Sequence, residues 1–296
     1  MPKYKTIKLN FNLLIKTVIT AAGLGSRLLP TTKEIPKEIL PIFYKTRDHI
    51  TTVPILQIIF EQLFTTNVRN FCFIVGREKR IIKNHFSPSN ELIKKLEPSS
   101  KKILDDFHKK LNKSTIKWST QTIPQGFGDA VKKSESFVGK NDFIVHAGDV
   151  SIFSKKIHPI SRLINLAKIH PEASAILLCK KVKDTSRYGV PKISPVSKKF
   201  FNVEEVEEKP LQPKSNLAIM PLYFFKPEIF VALKKIKRGK NNEFQLTDAI
   251  QKLIDNGKKV LAIPLQSDEI ELDVGTIDSY KSALNLSYKW VHNQNL

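Results

Sequence analysis

The alternation of short apolar runs with longer helical patterns is the feature of this sequence that most restricts its fold. Runs of β-branched or apolar residues predict strands at 16–20, 70–75, 115–120, 142–146, 173–179, 201–207, 218–224 and 259–264. Apolar residues at helical spacing predict helices at 54–65, 79–86, 89–111, 128–137, 161–169, 227–233, 247–255 and 276–292. Strands separated by helices imply right-handed crossovers and a sheet covered on both faces. The sequence therefore predicts an α/β protein with a Rossmann-like mixed, mostly parallel sheet flanked by helices.

The order of the segments also predicts how the chain is divided. In the second half, strands follow one another with little helix between them, which predicts a small antiparallel addition to the sheet. The segment 87–114 is rich in lysine and is interrupted by Pro88 and Pro98, so we expect a helical insertion on the surface. A chain of 296 residues fits one large domain. We therefore expect a single domain at 16–296, preceded by a basic extension at 1–15.

Composition limits the location and the partners. No apolar stretch reaches the roughly 18 residues that a membrane span requires, so no membrane association is predicted. Cys72 and Cys179 lie in apolar runs without a CxxC pair, as expected of buried, reduced thiols in a cytoplasmic protein. The net charge is +21, but the lysines are scattered and have few aromatic residues between them. This pattern favours a solvated basic surface, with no nucleic-acid partner, that attracts small anions.

A glycine loop follows the first predicted strand. Gly23 and Gly25 come directly after the buried run, where glycine lets the backbone approach a ligand closely. Backbone N–H groups in such a loop can bind phosphate. The loop has neither the Gly-Lys-Ser/Thr ending of a Walker loop nor the G-x-G-x-x-G spacing of a dinucleotide-binding turn, and it is followed by Arg27 and Lys37. Two cations beside a phosphate-binding loop suit a triphosphate under attack better than a dinucleotide being held.

A glutamine and two glycines lie between the third predicted strand and the next helix. The amide of Gln121 offers a donor and an acceptor, as reading a nucleobase edge requires, and Gly126 and Gly128 would leave room for a flat ring. The same glycines would equally serve a plain turn from strand to helix. The pattern alone leaves both interpretations open.

Two aspartates occupy positions where a metal could bind. Asp149 follows the predicted strand at 142–146, and the carboxyl ends of parallel strands face the ligand crevice of such sheets. Asp273 lies just before the last predicted helix. Asp149 could instead cap a loop, and Asp273 could cap its helix. In a protein that handles phosphates, the two carboxylates form a plausible Mg²⁺ pair.

An acid and a base stand side by side at Glu208 and Lys209, followed by Pro210, which ends the strand. Neighbouring residues of a strand face opposite ways, so both side chains reach one substrate only if the backbone bends there. With such a bend, Glu208 could accept hydrogen bonds from sugar hydroxyls while Lys209 holds a phosphate. The alternative is ordinary surface charge.

In this order, the motifs resemble the sugar-1-phosphate nucleotidylyltransferase family over about residues 16–290. The resemblance is closest to the bacterial and archaeal UTP–glucose-1-phosphate uridylyltransferases. AAGLGSRLLP at 21–30 is similar to the nucleotide loop of that family, and KEIPKEILP at 33–41 to its lysine segment. Further similar segments are IKNHF at 82–86, EKP at 208–210, SNLA at 215–218 and EFQLTDAI at 243–250.

The resemblance implies the nucleotide-diphospho-sugar transferase fold, and Mg²⁺-dependent attack of glucose 1-phosphate on the α-phosphate of UTP, with UDP-glucose and pyrophosphate as products. It implies catalytic roles for Arg27, Lys37 and Lys209. It implies nucleotide contacts from Ala22, Gly23, Leu24, Gly25, Gln121 and Gly126. It implies sugar contacts from Gly189, Glu208, Lys209 and Asn216, and metal binding by Asp149 and Asp273. It also implies a homo-oligomer, either a dimer or a tetramer.

Three alternatives remain open from the sequence. The same chemistry could use dTTP, or another pair such as GTP with mannose 1-phosphate. The chain could also be a non-catalytic regulator that binds nucleotide sugars, although such a protein should have lost a cation or an acid from these motifs. The charge of +21 keeps nucleic-acid binding as a third possibility.

Overall fold

The computed structural model describes residues 15–46, 49–197 and 199–293. Its strands are β1 (Lys16–Ala21), β2 (Pro41–Lys45), β3 (Ile50–Pro54), β4 (Asn70–Gly76), β5 (Thr115–Gln121), β6 (Phe143–Ala147), β7 (Val150–Ser154), β8 (Ala173–Lys181), β9 (Gly189–Pro195), β10 (Phe201–Glu208), β11 (Leu217–Phe225), β12 (Lys259–Pro264) and β13 (Glu269–Asp273). Its α-helices are α1 (Ile55–Thr65), α2 (Arg80–His85), α3 (Asn90–Lys94), α4 (Pro98–Asn112), α5 (Phe127–Lys132), α6 (Glu135–Val138), α7 (Pro159–Ile169), α8 (Ile229–Lys235), α9 (Leu246–Asp255) and α10 (Ile277–Asn293).

Nine strands of the described chain form one mixed sheet in the order β5-β4-β1-β6-β11-β8-β12-β10-β9. The pairs β5/β4, β4/β1, β1/β6 and β8/β12 are parallel. β11 runs antiparallel to β6 and β8, and β10 runs antiparallel to β12 and β9. All strands of this sheet except β10 and β11 therefore point the same way, which confirms the expected mixed, mostly parallel sheet.

The sheet is covered on both faces, because side chains alternate along each strand. Ile19 and Phe73 belong to one buried cluster with α1 and α7, whereas Val18 and Cys72 belong to another with α5, α8 and α9. Both cysteines, Cys72 and Cys179, are buried and free, as expected.

Two short ribbons lie outside the large sheet. β2 pairs with β3, and β13 pairs with β7, both antiparallel. The long helix α10 packs against β2 and β13. The second ribbon joins parts of the chain that are more than 100 residues apart, and it carries one proposed metal ligand at its end.

All eight predicted strands are present, with bounds that differ by at most two residues. The predictions did not include β2, β3, β7, β9 and β13. The segment 87–114 contains α3 and α4, as the expected helical insertion requires, and Pro98 is the first residue of α4. Of the expected extension at 1–15, all but Ile15 lies outside the described residues. No helix in the described ranges combines the length and apolar character that a membrane crossing needs.

The position of β1 determines where a ligand can lie. Its neighbours are β4 on one side and β6 on the other, and all three strands are parallel. The chain after β1 and the chain after β6 therefore leave the sheet at the same edge, beside the point where strand order changes direction. In open α/β sheets this crevice is the usual ligand site.

Candidate active site

The glycine loop lies at this edge, directly after β1. Ala22 is buried, while Gly23 and Leu24 are exposed and line a cleft of about 470 Å³. Gly25 has a left-handed backbone with φ of 70°, and its carbonyl accepts a hydrogen bond from Thr32 Oγ1 at 2.7 Å. A Cβ atom at Gly25 would lie 3.0 Å from the Thr32 side chain. Glycine is therefore required here by both the backbone and the available space.

Lys37 lies over the glycine loop and contacts Asp149. Its Nζ would be 3.5 Å from a Cβ atom placed on Gly23, and it lies 2.5 Å from Asp149 Oδ2. Burial acts to lower the pKa of Lys37, but the charges of Asp149 and Glu38 outweigh it, so the pKa is raised overall. Burial likewise acts to raise the pKa of Asp149, and the Lys37 ammonium holds it below its usual value. Both groups are charged at neutral pH.

Asp273 and Arg27 complete this cluster. The pairing of β13 with β7 sets Asp273 opposite Val150, next to Asp149, and Val274 N–H donates to the Asp149 carbonyl at 3.0 Å. Arg27 lies beside Asp273, because a Cβ atom on Gly275 would be 2.9 Å from Asp273 Oδ1 and 3.6 Å from Arg27 Nη2. Burial, and then the charge of Asp149, raise the pKa of Asp273. The two carboxylates thus repel one another.

The donor set of this cluster fits magnesium. In the described ranges no group of three or more His, Cys, Asp or Glu side chains could hold a metal ion. Mg²⁺ usually binds one or two protein carboxylates and completes its shell with water and substrate phosphates. Two neighbouring carboxylates whose repulsion a cation would relieve, beside a phosphate-binding loop, match that pattern.

Gln121 lies at the end of β5, on the far side of the same cleft. Its side chain is buried, and Nε2 donates to Asp129 Oδ2 at 2.8 Å and to the Gly126 carbonyl at 3.2 Å. Gly126 has φ of 110°, and a Cβ atom there would lie 2.7 Å from the Phe244 carbonyl oxygen. The corresponding distance at Gly128 is 2.8 Å. On the side where a Cβ atom would stand, the space at both glycines is thus filled by the segment before α9, so neither glycine leaves room for a ring on that side.

Lys209 supplies the bend that the Glu208–Lys209 motif needs. It follows β10 with φ of 47°, a left-handed conformation that is unusual for lysine. Its N–H donates to the Tyr188 carbonyl at 2.9 Å, and its Nζ lies 3.6 Å from Glu208 Oε1. The two side chains therefore lie on the same side despite their adjacent positions.

Gly189 and Thr247 surround the Glu208 carboxylate. Thr247 Oγ1 donates to Glu208 Oε2 at 2.7 Å. A Cβ atom on Gly189 would lie 2.8 Å from Thr247 Oγ1 and 3.3 Å from Glu208 Oε2. Three predicted sugar contacts, at Gly189, Glu208 and Lys209, are therefore together in space.

Lys180 connects this second cluster with the first. Its ammonium pairs with Glu271, two residues before Asp273, and lies 5.1 Å from the centre of the Tyr188 ring. The fourth predicted sugar contact, Asn216, is exposed, and its carbonyl accepts from Val182 N–H at 2.9 Å, just beyond the end of β8. The predicted residues therefore form two groups that are linked through the carboxyl end of β8.

Sequence reasoning missed several residues of this region. Thr247 and Glu38 lie within motifs that were recognised, but neither was singled out. Lys79, which lines the cleft and pairs with Glu38, had no distinguishing signal among the many lysines. Lys180 and Tyr188 are recognisable only once β8 and β13 have been placed in three dimensions.

Comparison with known proteins identifies the family. The nucleotidyl transferase family model matches residues 16–288. The chain is 37% identical over 247 residues to UTP–glucose-1-phosphate uridylyltransferase of Bacillus subtilis strain 168, with 80% of each chain covered. It is 36% identical over 248 residues to the protein of that name from Staphylococcus haemolyticus, with 80% of this chain and 81% of the relative covered.

Solved structures agree. A UDP-glucose pyrophosphorylase complexed with UDP-glucose superposes with a TM-score of 0.82 at 28% identity, covering 94% of this chain and 99% of that one. The UTP-bound UGPase from Acinetobacter baumannii gives 0.77 at 25% identity, covering 95% and 99%. With the fold, the family model and the relatives in agreement, this chain belongs to the nucleotidyl transferase family.

Proposed function

We propose that this chain catalyses the reaction of UTP with glucose 1-phosphate to give UDP-glucose and pyrophosphate. The observation that carries the proposal is the position of Lys37, whose ammonium lies over the glycine loop and 2.5 Å from Asp149 in the cleft. The names of the relatives, and the ligands named for the superposed structures, support UTP and UDP-glucose as ligands.

The proposed reaction is an in-line displacement at the α-phosphate. An oxygen of the glucose 1-phosphate group forms a bond to the α-phosphorus, the bond to the bridging oxygen of the β-phosphate breaks, and pyrophosphate leaves with that electron pair. No general base is needed because the attacking phosphate is already ionised. The protein then contributes mainly position and positive charge.

Each charged residue has a place in this scheme. The nucleotide is held by the glycine loop, at Ala22, Gly23, Leu24 and Gly25. Arg27 contacts the β- and γ-phosphates, and Lys37 stabilises charge at the reacting phosphates. Lys209 holds the sugar phosphate. Asp149 and Asp273 would hold Mg²⁺, which when bound would neutralise phosphate charge. We also propose that Gln121 and Gly126 lie at the base and that Gly189, Glu208 and Asn216 lie at the glucose ring.

The remaining expectations belong to the same proposal. Residues 16–296 would act as one catalytic domain, in the cytoplasm, as a homo-oligomer that is either a dimer or a tetramer. Nucleic acid and membrane surfaces are not among the proposed partners.

A pyrophosphate-release assay tests the proposal. UTP, dTTP, GTP and ATP would each be combined with glucose, galactose and mannose 1-phosphates, and kcat/KM measured for every pair. We expect UTP with glucose 1-phosphate to exceed every other pair by about tenfold or more, since a pocket that pairs with a base edge rejects the wrong edge strongly. A preference for dTTP or for another sugar 1-phosphate would show that the proposed substrate pair is wrong and would identify the correct one. No pyrophosphate from any pair, with tight binding of UDP-glucose, would instead indicate a non-catalytic regulator.

Lys37→Met tests the residue that carries the argument. Removal of one preorganised charge at a reacting centre costs about 10²–10³ in kcat in other enzymes, and we expect a loss of that size. Lys113→Met removes an exposed lysine just after α4 and should leave kcat unchanged. Equal activity in the two variants would contradict the role of Lys37.

A further inference from the structure

Four charged side chains form a compact network beside the glycine loop. Lys37 Nζ lies 2.5 Å from Asp149 Oδ2, and Lys79 Nζ lies 2.8 Å from each carboxylate oxygen of Glu38. Glu38 is only 1% exposed, and the side chains of Lys37 and Lys79 are each 13% exposed. Two cations and two anions therefore share one poorly solvated volume, as two separate pairs.

Each charge of this network also acts on the other pair. Burial acts to lower the pKa of Lys37, and the charges of Asp149 and then Glu38 raise it. The charge of Lys79 is among the influences that lower the pKa of Asp149. Lys37 thus has a second carboxylate within electrostatic reach, and Asp149 has a second ammonium. Exchange of partners would draw Lys37 away from Asp149, and an unpaired buried charge favours such an exchange.

The Glu38–Lys79 pair also joins three segments of the site. Glu38 follows Lys37 directly in a short 3₁₀ turn at Lys37–Ile39. Its Cγ would be 3.4 Å from a Cβ atom on Gly148, the residue before Asp149. Lys79 comes from the turn after β4, where it lies over Gly76 and lines the cleft. The pair therefore contacts the segments that carry both Lys37 and Asp149.

We propose that Glu38 and Lys79 are positioning residues. Because they bind one another, Lys37 stays paired with Asp149, and the Lys37 ammonium is held at the reacting phosphates. The inference rests on the proposed function, because it assigns to the pair the position of the lysine that acts there. Neither residue needs to touch the substrate. If Lys79 is removed, Glu38 competes with Asp149 for Lys37. If Glu38 is removed, Lys79 competes with Lys37 for Asp149.

A double-mutant cycle separates this role from simple stabilisation. Glu38→Gln, Lys79→Met and the double variant would be assayed for kcat and for the KM of UTP, at a temperature where circular dichroism shows each to be folded. Lys83→Met, an exposed lysine in α2, controls for the loss of one positive charge nearby. Glu38→Asp is the milder variant, because it keeps both charges but shortens the carboxylate by one methylene.

We expect each single change to lower kcat by about tenfold or more, as small displacements of catalytic groups do. The double variant should return to within about threefold of the wild type, because neither competitor remains. The KM of UTP should change by less than about threefold throughout. Glu38→Asp should lower kcat, and Lys83→Met should not.

Other results would overturn the inference. Wild-type kcat in a folded single variant or in Glu38→Asp, or a double variant no better than either single one, would show that the pair only stabilises the fold. A raised KM for UTP with kcat kept in Lys79→Met would make Lys79 a phosphate contact. Failure of the proposed function is distinguishable. In that case the wild type would release no pyrophosphate from UTP and glucose 1-phosphate, or Lys37→Met would keep its activity.

Discussion

At the scale of single residues, the candidate sugar site depends on one unusual backbone conformation. Lys209 has φ of 47°, a region that costs an ordinary L-residue roughly 1–2 kcal/mol. Its ion pair with Glu208, at 3.6 Å and partly solvated, is too weak to offset that cost. Strain of this kind is typically found at functional sites, where the surrounding structure imposes it. We interpret the left-handed turn as the means of placing the ammonium beside the Glu208 carboxylate.

Replacement of Lys209 by asparagine separates charge from backbone strain. Asparagine tolerates the left-handed region, whereas alanine does not. We expect both Lys209→Asn and Lys209→Ala to lose about 10²-fold in kcat/KM for glucose 1-phosphate, and Lys209→Asn to be the more stable by about 0.5–1 kcal/mol. Pyrophosphate release and urea unfolding measure the two effects. Activity kept in either variant would contradict the role assigned to Lys209.

Two buried histidines and one partly buried histidine make stability depend on pH. Burial lowers the pKa of His85 and of His146 to about 4, and that of His158 to about 3. An unfolded histidine has a pKa of about 6.5, so below that pH the unfolded state binds more protons than the folded state. Stability is therefore complete above about pH 6.5 and falls as the pH drops, by about 2 kcal/mol per histidine at pH 5.

The variant His85→Gln tests this prediction at one position. Glutamine can keep a hydrogen bond to Gln57 Oε1, which His85 Nε2 contacts at 2.9 Å. We expect the loss of unfolding free energy between pH 7 and pH 5 to be smaller in this variant by about 2 kcal/mol, as measured by urea denaturation. His292→Gln, at an exposed histidine, is the matched control. If His85→Gln loses as much unfolding free energy between pH 7 and pH 5 as the wild type, then His85 does not resist protonation in the folded state.

At the scale of elements, the site depends on contacts between distant segments that the sequence could not reveal. Eight of the nine strands of the large sheet were predicted, because they are runs of apolar or β-branched residues bounded by polar ones, whereas the edge strand β9 was missed. β7 and β13 were not predicted, since each is a short strand in a two-stranded ribbon, and only their pairing brings Asp273 beside Asp149. The sequence offered the two aspartates as a Mg²⁺ pair, but no pattern in it showed which strands bring them together.

The loop between β5 and α5 shows a different limit. The sequence left open whether its two glycines give space for a ring or serve a plain turn from strand to helix, and on the side of a Cβ atom the segment before α9 fills the space. Gly128 N–H donates to the Phe244 carbonyl at 2.9 Å, and Phe244 N–H donates to the Gln125 carbonyl at 2.8 Å. Thr247, three residues after Phe244, binds Glu208. The segment 243–247 therefore holds both the proposed base loop and the carboxylate of the proposed sugar site, although sequence alone suggested only a helix start.

Alanine at these glycines tests the contact between the two segments. At Gly128 only a clash with the backbone of Phe244 and Gln245 is introduced, whereas at Gly139, with φ of 60° and open space around it, only backbone strain is introduced. We expect both changes to destabilise the fold by about 1–3 kcal/mol, and only Gly128→Ala to raise the KM of UTP several-fold. Thermal unfolding measures the stability of each variant, and pyrophosphate release measures its KM for UTP. An unchanged KM in Gly128→Ala would show that Phe244 does not position the loop.

At the scale of the whole molecule, charge is the dominant property. The chain has 49 Lys and Arg residues against 28 Asp and Glu residues. The charge of the candidate active site is nearly balanced, because Lys37 and Lys79 face Asp149 and Glu38. The excess positive charge is therefore spread over the rest of the surface. A field of this kind speeds the arrival of anionic ligands and does not by itself create a nucleic-acid site.

The salt dependence of the reaction distinguishes these two roles of the charge. Surface fields are screened within about 10 Å at 0.1 M salt. We expect kcat/KM for UTP to fall several-fold between about 20 and 200 mM potassium chloride, while kcat at saturating substrates stays constant, because screening slows encounter but not the displacement in the cleft. A parallel fall in kcat would place the salt effect at the catalytic centre. Duplex DNA should not bind tightly at about 150 mM salt, because scattered surface charges lack the aligned phosphate contacts that specific complexes use. Tight binding at that salt concentration would show that the surface charge binds nucleic acid.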